Sequence, residues 1–355
     1  MSLGDNMTER ILTKQILIKD LAIGGNNRIV VQSMTNTLTS DVPATVRQIK
    51  DLENAGCELV RVAVLDHKDA KAIRDIKQQI RIPLVADIHF DYKLALDAIE
   101  QGVDKIRLNP GNIGNPEQIR EVVTACQANH IPIRIGINSG SLEKKILLKY
   151  GRPSPEAMVE SAKYHVSLLE KHGFDQIILS LKSTDMLETI EAYRLAANTF
   201  TNPLHLGITE AGTKMIGTIR SSIGLGILIS ENIGSTIRVS LTDDPVEEVR
   251  VAREILANFK LIAKPTLISC PTCGRIQYDM IPIAHEIERF LETISKQLSV
   301  AIMGCAVNGP GEAKEANIAI CGGKKEALLY IDGELIRKIP QSEILPVLKK
   351  AILEY

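Results

Sequence analysis

Two cysteine-bearing segments lie near the end of the chain. Cys270 and Cys273 flank a Pro-Thr pair, and Cys305 opens a loop of small residues that ends in Glu312. Glycine and proline around each thiol let the backbone approach a large inorganic group and direct N–H groups toward it. The segments therefore predict a metal or iron–sulfur centre. The spacing alone leaves a structural zinc site open, because zinc also accepts three thiolates with a carboxylate or water.

The fourth ligand of such a centre is not a cysteine by this interpretation. Cys321 ends an alternating apolar run, and Cys57 and Cys126 lie at helix ends, so packing is the favoured role for all three. Glu312 is the better fourth ligand by position. A carboxylate is harder and more easily displaced than a thiolate, so one metal atom would be chemically distinct and able to take a substrate oxygen.

Five apolar segments in the first three-quarters of the chain each contain one cation. The five are Arg61, Arg107, Arg134, Lys182 and Arg238. An unpaired cation in a strand covered on both faces is costly, so any single one is explained most simply by a structural ion pair. Five at corresponding places instead predict a site for a multiply charged anion. Arginine binds phosphate oxygens bidentately and lysine supplies a point charge, which makes a diphosphate the simplest candidate.

Polar residues follow the same segments. Asp87, His89, Asn138 and Ser240 extend the candidate binding set. His89 is a candidate acid or base, with a hydrogen-bonded or helix-capping role equally open. Glu210 is a candidate proton donor, because a carboxylate that faces an anion pocket binds protons more readily. The alternative for Glu210 is a salt bridge with one of the five cations.

The elements that position these residues alternate along the chain. Eight short apolar runs have the character of strands; they span 28–33, 59–64, 82–86, 105–108, 133–137, 176–181, 204–208 and 236–240. Strands buried on both faces and alternating with helices predict a parallel sheet. Eight such units over roughly 230 residues match an α/β fold of the (β/α)8 TIM barrel type, with a doubly wound open sheet as the alternative. Ligand sites in such barrels lie at the C-terminal ends of the strands.

A second domain is expected after the barrel. We assign residues 1–260 to the barrel, with 1–15 as a leader outside the fold, and residues 264–355 to a small α+β iron–sulfur domain. Lys264-Pro265 separates them, since the residue before proline is biased away from helix. The second domain shows strand patterns over 266–269, 300–303, 318–320 and 327–331, and helix patterns over 283–298 and 342–354.

The bulk composition excludes several functional classes. The chain has 355 residues and a formal net charge of −1, which gives no general attraction to nucleic acid or to an anionic membrane. Aromatic residues make up 3% and tryptophan is absent, which disfavours base-stacking surfaces. No apolar run reaches the roughly 18 residues of a membrane span, and no secretory signal opens the chain, so a cytoplasmic protein is expected.

Several motifs resemble those of one enzyme family. Cys270-Pro-Thr-Cys-Gly-Arg275 and Gly304-Cys-Ala-Val-Asn-Gly-Pro-Gly-Glu312 are similar to the cysteine loops of 4-hydroxy-3-methylbut-2-enyl diphosphate synthase, an enzyme of the non-mevalonate isoprenoid pathway. Barrel motifs agree: Gln32-Ser-Met-Thr-Asn-Thr37, Ala86-Asp-Ile-His-Phe90, Arg107-Leu-Asn-Pro-Gly-Asn112, Gly136-Ile-Asn-Ser-Gly140 and Thr209-Glu-Ala-Gly212. The resemblance covers nearly the whole chain and is to the short bacterial form.

The resemblance implies a reaction and its participants. It implies a [4Fe-4S] cluster on Cys270, Cys273, Cys305 and Glu312. The substrate would be 2-C-methyl-D-erythritol 2,4-cyclodiphosphate, opened and dehydrated with two electrons from ferredoxin or flavodoxin. A homodimer would bring the cluster domain of one subunit over the barrel of the other. The implied diphosphate contacts are Arg61, Arg107, Arg134, Lys182 and Ser240, with Asn138 beside them; Arg238 comes from the strand pattern alone, and Asn308 of the second cysteine loop joins the set.

Two other functions compete with this one. A redox-neutral barrel enzyme acting on a phosphorylated small molecule, such as an aldolase or a pterin-type synthase, would explain the cations and treat the cysteines as a zinc site. An electron-carrier module would explain the cysteines and leave the five cations without a role. Iron content and colour after purification without oxygen would separate the zinc hypothesis from the two cluster hypotheses. A change in the cluster's signal on adding the cyclic diphosphate would then separate the reductase from the electron carrier.

Overall fold

The structure, a computed structural model, describes residues 12–109, 115–305, 307 and 309–355. Its contacts divide the chain into two compact units, with the division between Leu261 and Ile262. This division falls in the short segment between the two ranges that the sequence suggested.

The first unit opens with an antiparallel hairpin of two short strands, β1 (Ile16–Ile18) and β2 (Leu21–Ile23). Apolar side chains of the hairpin pack against one apolar residue from each of four later strands: Val30, Leu59, Val85 and Ile178. The hairpin therefore closes the N-terminal end of the sheet described next. The sequence did not predict it, because each strand has only three residues and they directly follow the assigned leader.

Eight parallel strands form the main sheet of the first unit. They are β3 (Val30–Met34), β4 (Leu59–Val64), β5 (Leu84–Ile88), β6 (Lys105–Leu108), β7 (Ile133–Asn138), β8 (Ile177–Lys182), β9 (His205–Leu206) and β10 (Thr236–Ile237). Their order is β8-β7-β6-β5-β4-β3-β10-β9. A parallel bridge between Leu179 and Leu204 joins the two end strands, and the Leu179 N–H donates to the Pro203 carbonyl at 2.9 Å. The sheet is thus closed, and the prediction of a (β/α)8 barrel is confirmed.

Helices connect these strands along the outside of the barrel. They are α1 (Val42–Asn54), α2 (His67–Lys77), α3 (Tyr92–Glu100), α4 (Pro116–Ala128), α5 (Lys144–Tyr150), α6 (Pro155–Glu170), α7 (Met186–Thr199), α8 (Lys214–Ser230) and α9 (Pro245–Asn258). Side-chain caps set their starts: Ser154 accepts from the Ala157 N–H at 3.2 Å, and Asn115 forms a capping box with Gln118. Within the described residues, no helix is both long and apolar enough to cross a bilayer.

The second unit contains a five-stranded mixed sheet. Its strands are β11 (Thr266–Ser269), β12 (Ser299–Met303), β13 (Ile318–Gly322), β14 (Glu326–Ile331) and β15 (Glu334–Pro340), paired in that order. The first three run parallel, and β14 and β15 are antiparallel to their neighbours. Helices α10 (Met280–Leu291) and α12 (Ile344–Glu354) supply apolar residues to one core with this sheet, and the short helix α11 (Gly309–Ala313) contacts β12 and β13.

Two details of this unit differ from the sequence interpretation. Helix α10 ends at Leu291 rather than at Leu298, and the Thr293 hydroxyl donates to the Phe290 carbonyl at 2.7 Å just past its last turn. Strand β15 was not predicted, because Ile339 is the one buried residue among its seven and the alternation of buried and exposed residues is missing.

Candidate active site

Charged side chains line the interior of the barrel. Residues paired in register on parallel strands share a face of the sheet, so the pairs Asp87–Arg107 and Arg107–Arg134 place three charged groups side by side. Side chains alternate between the two faces of a strand, so Arg61 on β4 and Lys182, the last residue of β8, lie on this same face. Arg238 directly follows β10. The structure thus brings together all five cations that the sequence predicted.

Asp87 pairs with two of these cations. Its Oδ1 lies 3.0 Å from Nη1 of Arg107, and its Oδ2 lies 3.6 Å from Nε of Arg61. Burial alone would raise the pKa of Asp87, but Arg61, with Arg107 as a further cation, holds that pKa well below its usual range. His89, which is half exposed, also lies 2.9 Å from Arg107 Nη1 through its Nε2. Asp87 is therefore ionised and orients two guanidinium groups.

Arg238 has a carboxylate partner that the sequence did not reveal. Its Nε lies 3.3 Å from Oε2 of Glu248, a residue of α9 that is only 4% exposed. Glu248 also accepts from the Ser33 hydroxyl at 3.1 Å and from the Leu241 N–H at 3.0 Å. Arg238 thus fits the alternative of a structural ion pair at the rim of the barrel.

Arg134 and Lys182 have no carboxylate partner in the described part of the chain. Arg134 is 1% exposed, and its Nε and Nη1 atoms have no hydrogen-bond acceptor there. Burial lowers its pKa, and Arg61 and Arg107 lower it further. Burial, followed by Arg61 and Arg134, likewise lowers the pKa of Lys182. Buried donors are almost always satisfied in folded proteins, so the unsatisfied nitrogen atoms of Arg134 indicate an anion as the missing acceptor. Lys182 is half-buried and adds a second cation on the same face.

A deeper polar layer contains residues that the sequence analysis missed. Lys105 is fully buried, and its Nζ donates to Oε1 of Gln32 at 3.3 Å. His205 is also fully buried, with its Nδ1 2.7 Å from the Thr236 hydroxyl. Burial, with Arg134 and Lys182 next, lowers the pKa of His205, so its ring is neutral. The signal for Lys105 was its spacing: it precedes Arg107 by two residues on one strand and therefore shares its face.

The mouth of this site contains a small cavity of about 160 Å³, lined in part by His89, Arg107, Gly136 and Asn138. A Cβ atom at Gly136 would lie 2.8 Å from Nε of Arg107, so this glycine makes room for the guanidinium. A larger crevice of about 620 Å³ is lined by residues of the hairpin and by residues at the N-terminal ends of β6 and β7. Its lining contains no cluster of cations among the described residues, so charge rather than volume identifies the site.

Three remaining candidates lie near the C-terminal ends of strands. Asn138 is exposed and pairs in register with Lys182, and Ser240 is half exposed three residues after β10. Glu210 is exposed after β9 with φ at 55°, in the left-handed region. No cation in the described residues lies within ion-pair distance of Glu210, so the salt-bridge alternative finds no support. The candidate Asn308 lies outside the described residues.

The cysteine segments emerge from one edge of the second sheet. Strands β11 and β12 are parallel neighbours, so Cys270 and Cys273 follow one strand end and Cys305 follows the adjacent one. The Cys270 N–H donates to the Ile302 carbonyl at 3.0 Å and extends this pairing. Cys273 is exposed, Cys305 is 7% exposed, and Glu312 is exposed on α11.

The chemistry of these donors fits an iron–sulfur cluster. The described residues contain no group of three that converges as ligands of a single metal ion. Thiolates such as those of Cys270, Cys273 and Cys305 are the usual ligands of iron–sulfur clusters. A hydrogen bond from the Arg275 N–H lowers the pKa of Cys273 and favours the thiolate that metal binding requires. Cys321 is fully buried, and a Cβ at Gly309 would lie 2.9 Å from its Sγ, which confirms the prediction of a packing residue.

Comparisons with known proteins cover both units. The family described as GcpE TIM-barrel domain matches residues 13–253, and the family described as GcpE protein C-terminal domain matches residues 266–354. A relative from Geobacillus thermodenitrificans is 58% identical over 344 residues, which are 97% of this chain and 92% of the relative. One from Macrococcus caseolyticus is 57% identical over 347 residues, 98% of this chain and 94% of the relative. Both are named 4-hydroxy-3-methylbut-2-en-1-yl diphosphate synthase (flavodoxin).

Two solved structures of low sequence identity align with about 70% of this chain. Dihydropteroate synthase from Stenotrophomonas maltophilia aligns with a TM-score of 0.51 and 13% identity over 70% of this chain and 97% of that one. Dihydropteroate synthase from Yersinia pestis gives a TM-score of 0.50 and 13% identity over 69% and 98%. At this identity the likeness shows the fold and no shared chemistry. Both family matches and the full-length relatives, by contrast, establish that this chain belongs to the GcpE family.

Proposed function

We propose that this chain converts 2-C-methyl-D-erythritol 2,4-cyclodiphosphate to 4-hydroxy-3-methylbut-2-enyl diphosphate. The conversion consumes two electrons and two protons, opens the ring at a C–O bond and releases one water. The names of the two full-length relatives support this reaction. The observation that carries it in the structure is Arg134, a buried guanidinium whose Nε and Nη1 lack an acceptor in the described residues.

The interior cations bind the diphosphate in this proposal. Arg61, Arg107, Arg134 and Lys182 neutralise its charge, and Asp87 holds the first two in orientation. Charge neutralisation matters because electrons must enter a polyanion while a phosphate oxygen leaves carbon. Donors already fixed by the barrel stabilise that charge without reorganisation during the reaction.

Residues at the mouth complete the proposed substrate site. His89, Asn138, Ser240 and Asn308 are the remaining proposed contacts, and Arg238 is a proposed contact that also keeps its ion pair with Glu248. Glu210 is the proposed proton donor, and its exposed position at a strand end is where a substrate in the barrel mouth would meet it.

We propose that Cys270, Cys273, Cys305 and Glu312 hold a [4Fe-4S] cluster. When bound, such a cluster supplies single electrons and one iron that can accept an oxygen ligand. The three thiols lie at the ends of adjacent strands, and Glu312 provides a carboxylate that exchanges more easily than a thiolate. The proposed partners are flavodoxin, which the relatives' names contain, or ferredoxin as electron donor, and a second copy of the chain. We place the activity in the cytoplasm, where the six unpaired cysteines would stay reduced.

The test begins with protein purified without oxygen. We expect a brown protein with about four irons per chain. With reduced flavodoxin, the protein should consume the cyclic diphosphate and yield a linear diphosphate. Phosphorus NMR detects the loss of the substrate and the appearance of the product. Cys305→Ser should lose iron and turnover, whereas Cys126→Ala, at a buried cysteine of α4, should keep both. A colourless protein with one zinc and no turnover would contradict the proposal and favour the redox-neutral alternative.

A further inference from the structure

Lys105 is a fully buried cation without a carboxylate partner in the described chain. Its Nζ reaches one acceptor, Oε1 of Gln32, at 3.3 Å. It lies on β6 two residues before Arg107 and faces the same barrel interior, on the side toward the hairpin. Burying an ammonium group with a single neutral acceptor is costly, so its environment must favour the uncharged amine unless negative charge enters the barrel.

The groups that surround Lys105 come from every side of the barrel. They are Gln32 of β3, Arg61 of β4, Arg134 of β7 and His205 of β9. Asp87 pairs with Arg61 and Arg107, and the ring of His205 is neutral. Burial, followed by the charges of Arg134 and Arg61, holds the pKa of Lys105 well below its usual range. The charges of Arg134 and Arg61 therefore oppose protonation of this amine, and no carboxylate of the described residues forms an ion pair with it.

An anion with two or more charges would reverse this balance. In the barrel interior it would lie among Arg61, Arg134 and Lys182, so it would offset the repulsion that Arg134 and Arg61 exert on the Lys105 ammonium. The gain is large inside the barrel, because charges excluded from water interact more strongly there. Binding of the anion and binding of the proton would then strengthen each other, as linkage requires.

We propose that Lys105 is a further anion-binding residue of this barrel, and that its amine is neutral in the free protein and takes up one proton when a diphosphate binds. This inference rests on the proposed function, since it names an additional residue and a proton for the same site. The bond that forms is N–H on the amine, and the proton comes from solvent water or buffer.

Isothermal titration of the protein with the cyclic diphosphate tests the proposal directly. Repeating the titration in buffers of different ionisation enthalpy gives the number of protons taken up on binding. Both phosphates of this ligand are strongly acidic and fully ionised near neutral pH, so the protons counted are taken up by the protein. Lys182 contributes its own uptake, so the difference between variants, rather than the total, is decisive.

Lys105→Met should take up about one proton fewer than the wild type and bind about tenfold more weakly, the loss typical of one charged contact. Lys105→Arg, whose charge is permanent, should also take up about one fewer while keeping more of the affinity. Lys71→Met, at an exposed position of α2, is the matched control and should match the wild type in both quantities.

Stability against pH provides a second readout that needs no ligand and also shows whether the variants fold. The pKa of Lys105 is depressed in the folded chain and has its ordinary value of about 10.4 in the unfolded chain. Between these two pH values the unfolded chain binds a proton that the folded chain does not, so the free energy of unfolding rises with pH. The rise should be shallower in Lys105→Met. If that variant does not fold, Lys105→Gln takes its place. Equal proton uptake in wild type and variant, together with equal slopes of stability against pH, would overturn this inference and leave the proposed function intact. If the cyclic diphosphate did not bind to the wild type, both the inference and the proposed function would be overturned.

Discussion

At the scale of single residues, the main feature is a buried cation held without a partner in the described chain. Arg134 is 1% exposed, and two of its nitrogen atoms have no acceptor there. Such a residue destabilises the free protein and is useful only when an anion arrives. Stability and binding should therefore respond to its removal in opposite directions.

Replacing Arg134 by methionine tests this opposition. We expect the free energy of unfolding to stay the same or rise by up to roughly 3 kcal/mol, because a poorly solvated charge is removed. Affinity for the cyclic diphosphate should fall about 10- to 100-fold. Urea unfolding and titration calorimetry measure the two quantities. Arg120→Met, at an exposed position of α4, should change neither, and a large loss of stability in Arg134→Met would show that the guanidinium is structural.

Glu210 differs from the interior residues because its proposed role appears only during turnover. Glu210→Gln keeps the shape of the side chain and removes the proton that it could donate. We expect the dissociation constant for the cyclic diphosphate to change less than threefold or so, while kcat falls about 100-fold or more. Steady-state kinetics and equilibrium binding separate the two effects. Unchanged kcat would remove Glu210 from the mechanism.

The sequence predicted some interior residues and missed others for physical reasons. Arg61, Arg107 and Arg134 stood out because apolar residues flank each of them. Lys105 opens its strand, where a lysine is typical of a solvated end. Glu248 follows Glu247 in the first turn of α9, where acidic residues commonly interact favourably with the helix dipole. Its position therefore gave no reason to predict the ion pair with Arg238.

At the scale of elements, β7 shows how a strand shapes the site through a missing side chain. A Cβ at Gly136 would lie 2.8 Å from Nε and 2.9 Å from Nη2 of Arg107. Gly136→Ala should displace this guanidinium and weaken diphosphate binding about tenfold, by the loss of roughly one charged contact. Gly140→Ala is the matched control, since nothing lies within 4 Å of its added Cβ. Equal affinities for the two variants would mean that Arg107 does not contact the anion.

The N-terminal hairpin makes a separate contribution, to stability alone. Ile18 is fully buried against the barrel floor, whereas Leu17 on the same strand is 53% exposed. Ile18→Ala should lower the free energy of unfolding by about 2–5 kcal/mol, and Leu17→Ala by no more than about 0.5 kcal/mol. Neither should change diphosphate affinity, because the hairpin closes the end of the barrel opposite the proposed site. A loss of affinity in Ile18→Ala with normal stability would contradict this division.

Elements were predictable where burial is complete and less so where it is partial. All eight barrel strands lie where continuous apolar runs predicted them, because both faces of a parallel strand are covered. The strands that no sequence pattern predicted are short or exposed: β1 and β2 have three residues each, and β15 has one buried residue. In these strands the contacts that fix the structure are made by distant parts of the chain and leave no local pattern.

At the scale of the whole molecule, the chain is nearly neutral while its barrel interior is strongly basic. The formal net charge is −1, yet the barrel interior and its rim hold five cations and the amine of Lys105, and the cations with a buried carboxylate partner pair with Asp87 or Glu248 among the described residues. The solved structures with 13% identity share the fold alone with this chain. Because a fold does not determine chemistry, the proposed reaction rests on the inward-facing residues and on the cysteine loops of the second unit.

The most direct test asks whether an anion bound in the barrel affects the iron–sulfur centre of the cysteine loops. Electron paramagnetic resonance of the reduced protein, prepared without oxygen, reports the surroundings of its iron–sulfur centre. We predict that the cyclic diphosphate changes this signal in the wild type, and that Arg134→Met, with the same iron content, needs about tenfold more ligand for the same change. A wild-type signal that stays the same at saturating cyclic diphosphate would contradict the claim that the basic barrel and the cysteine loops serve one reaction.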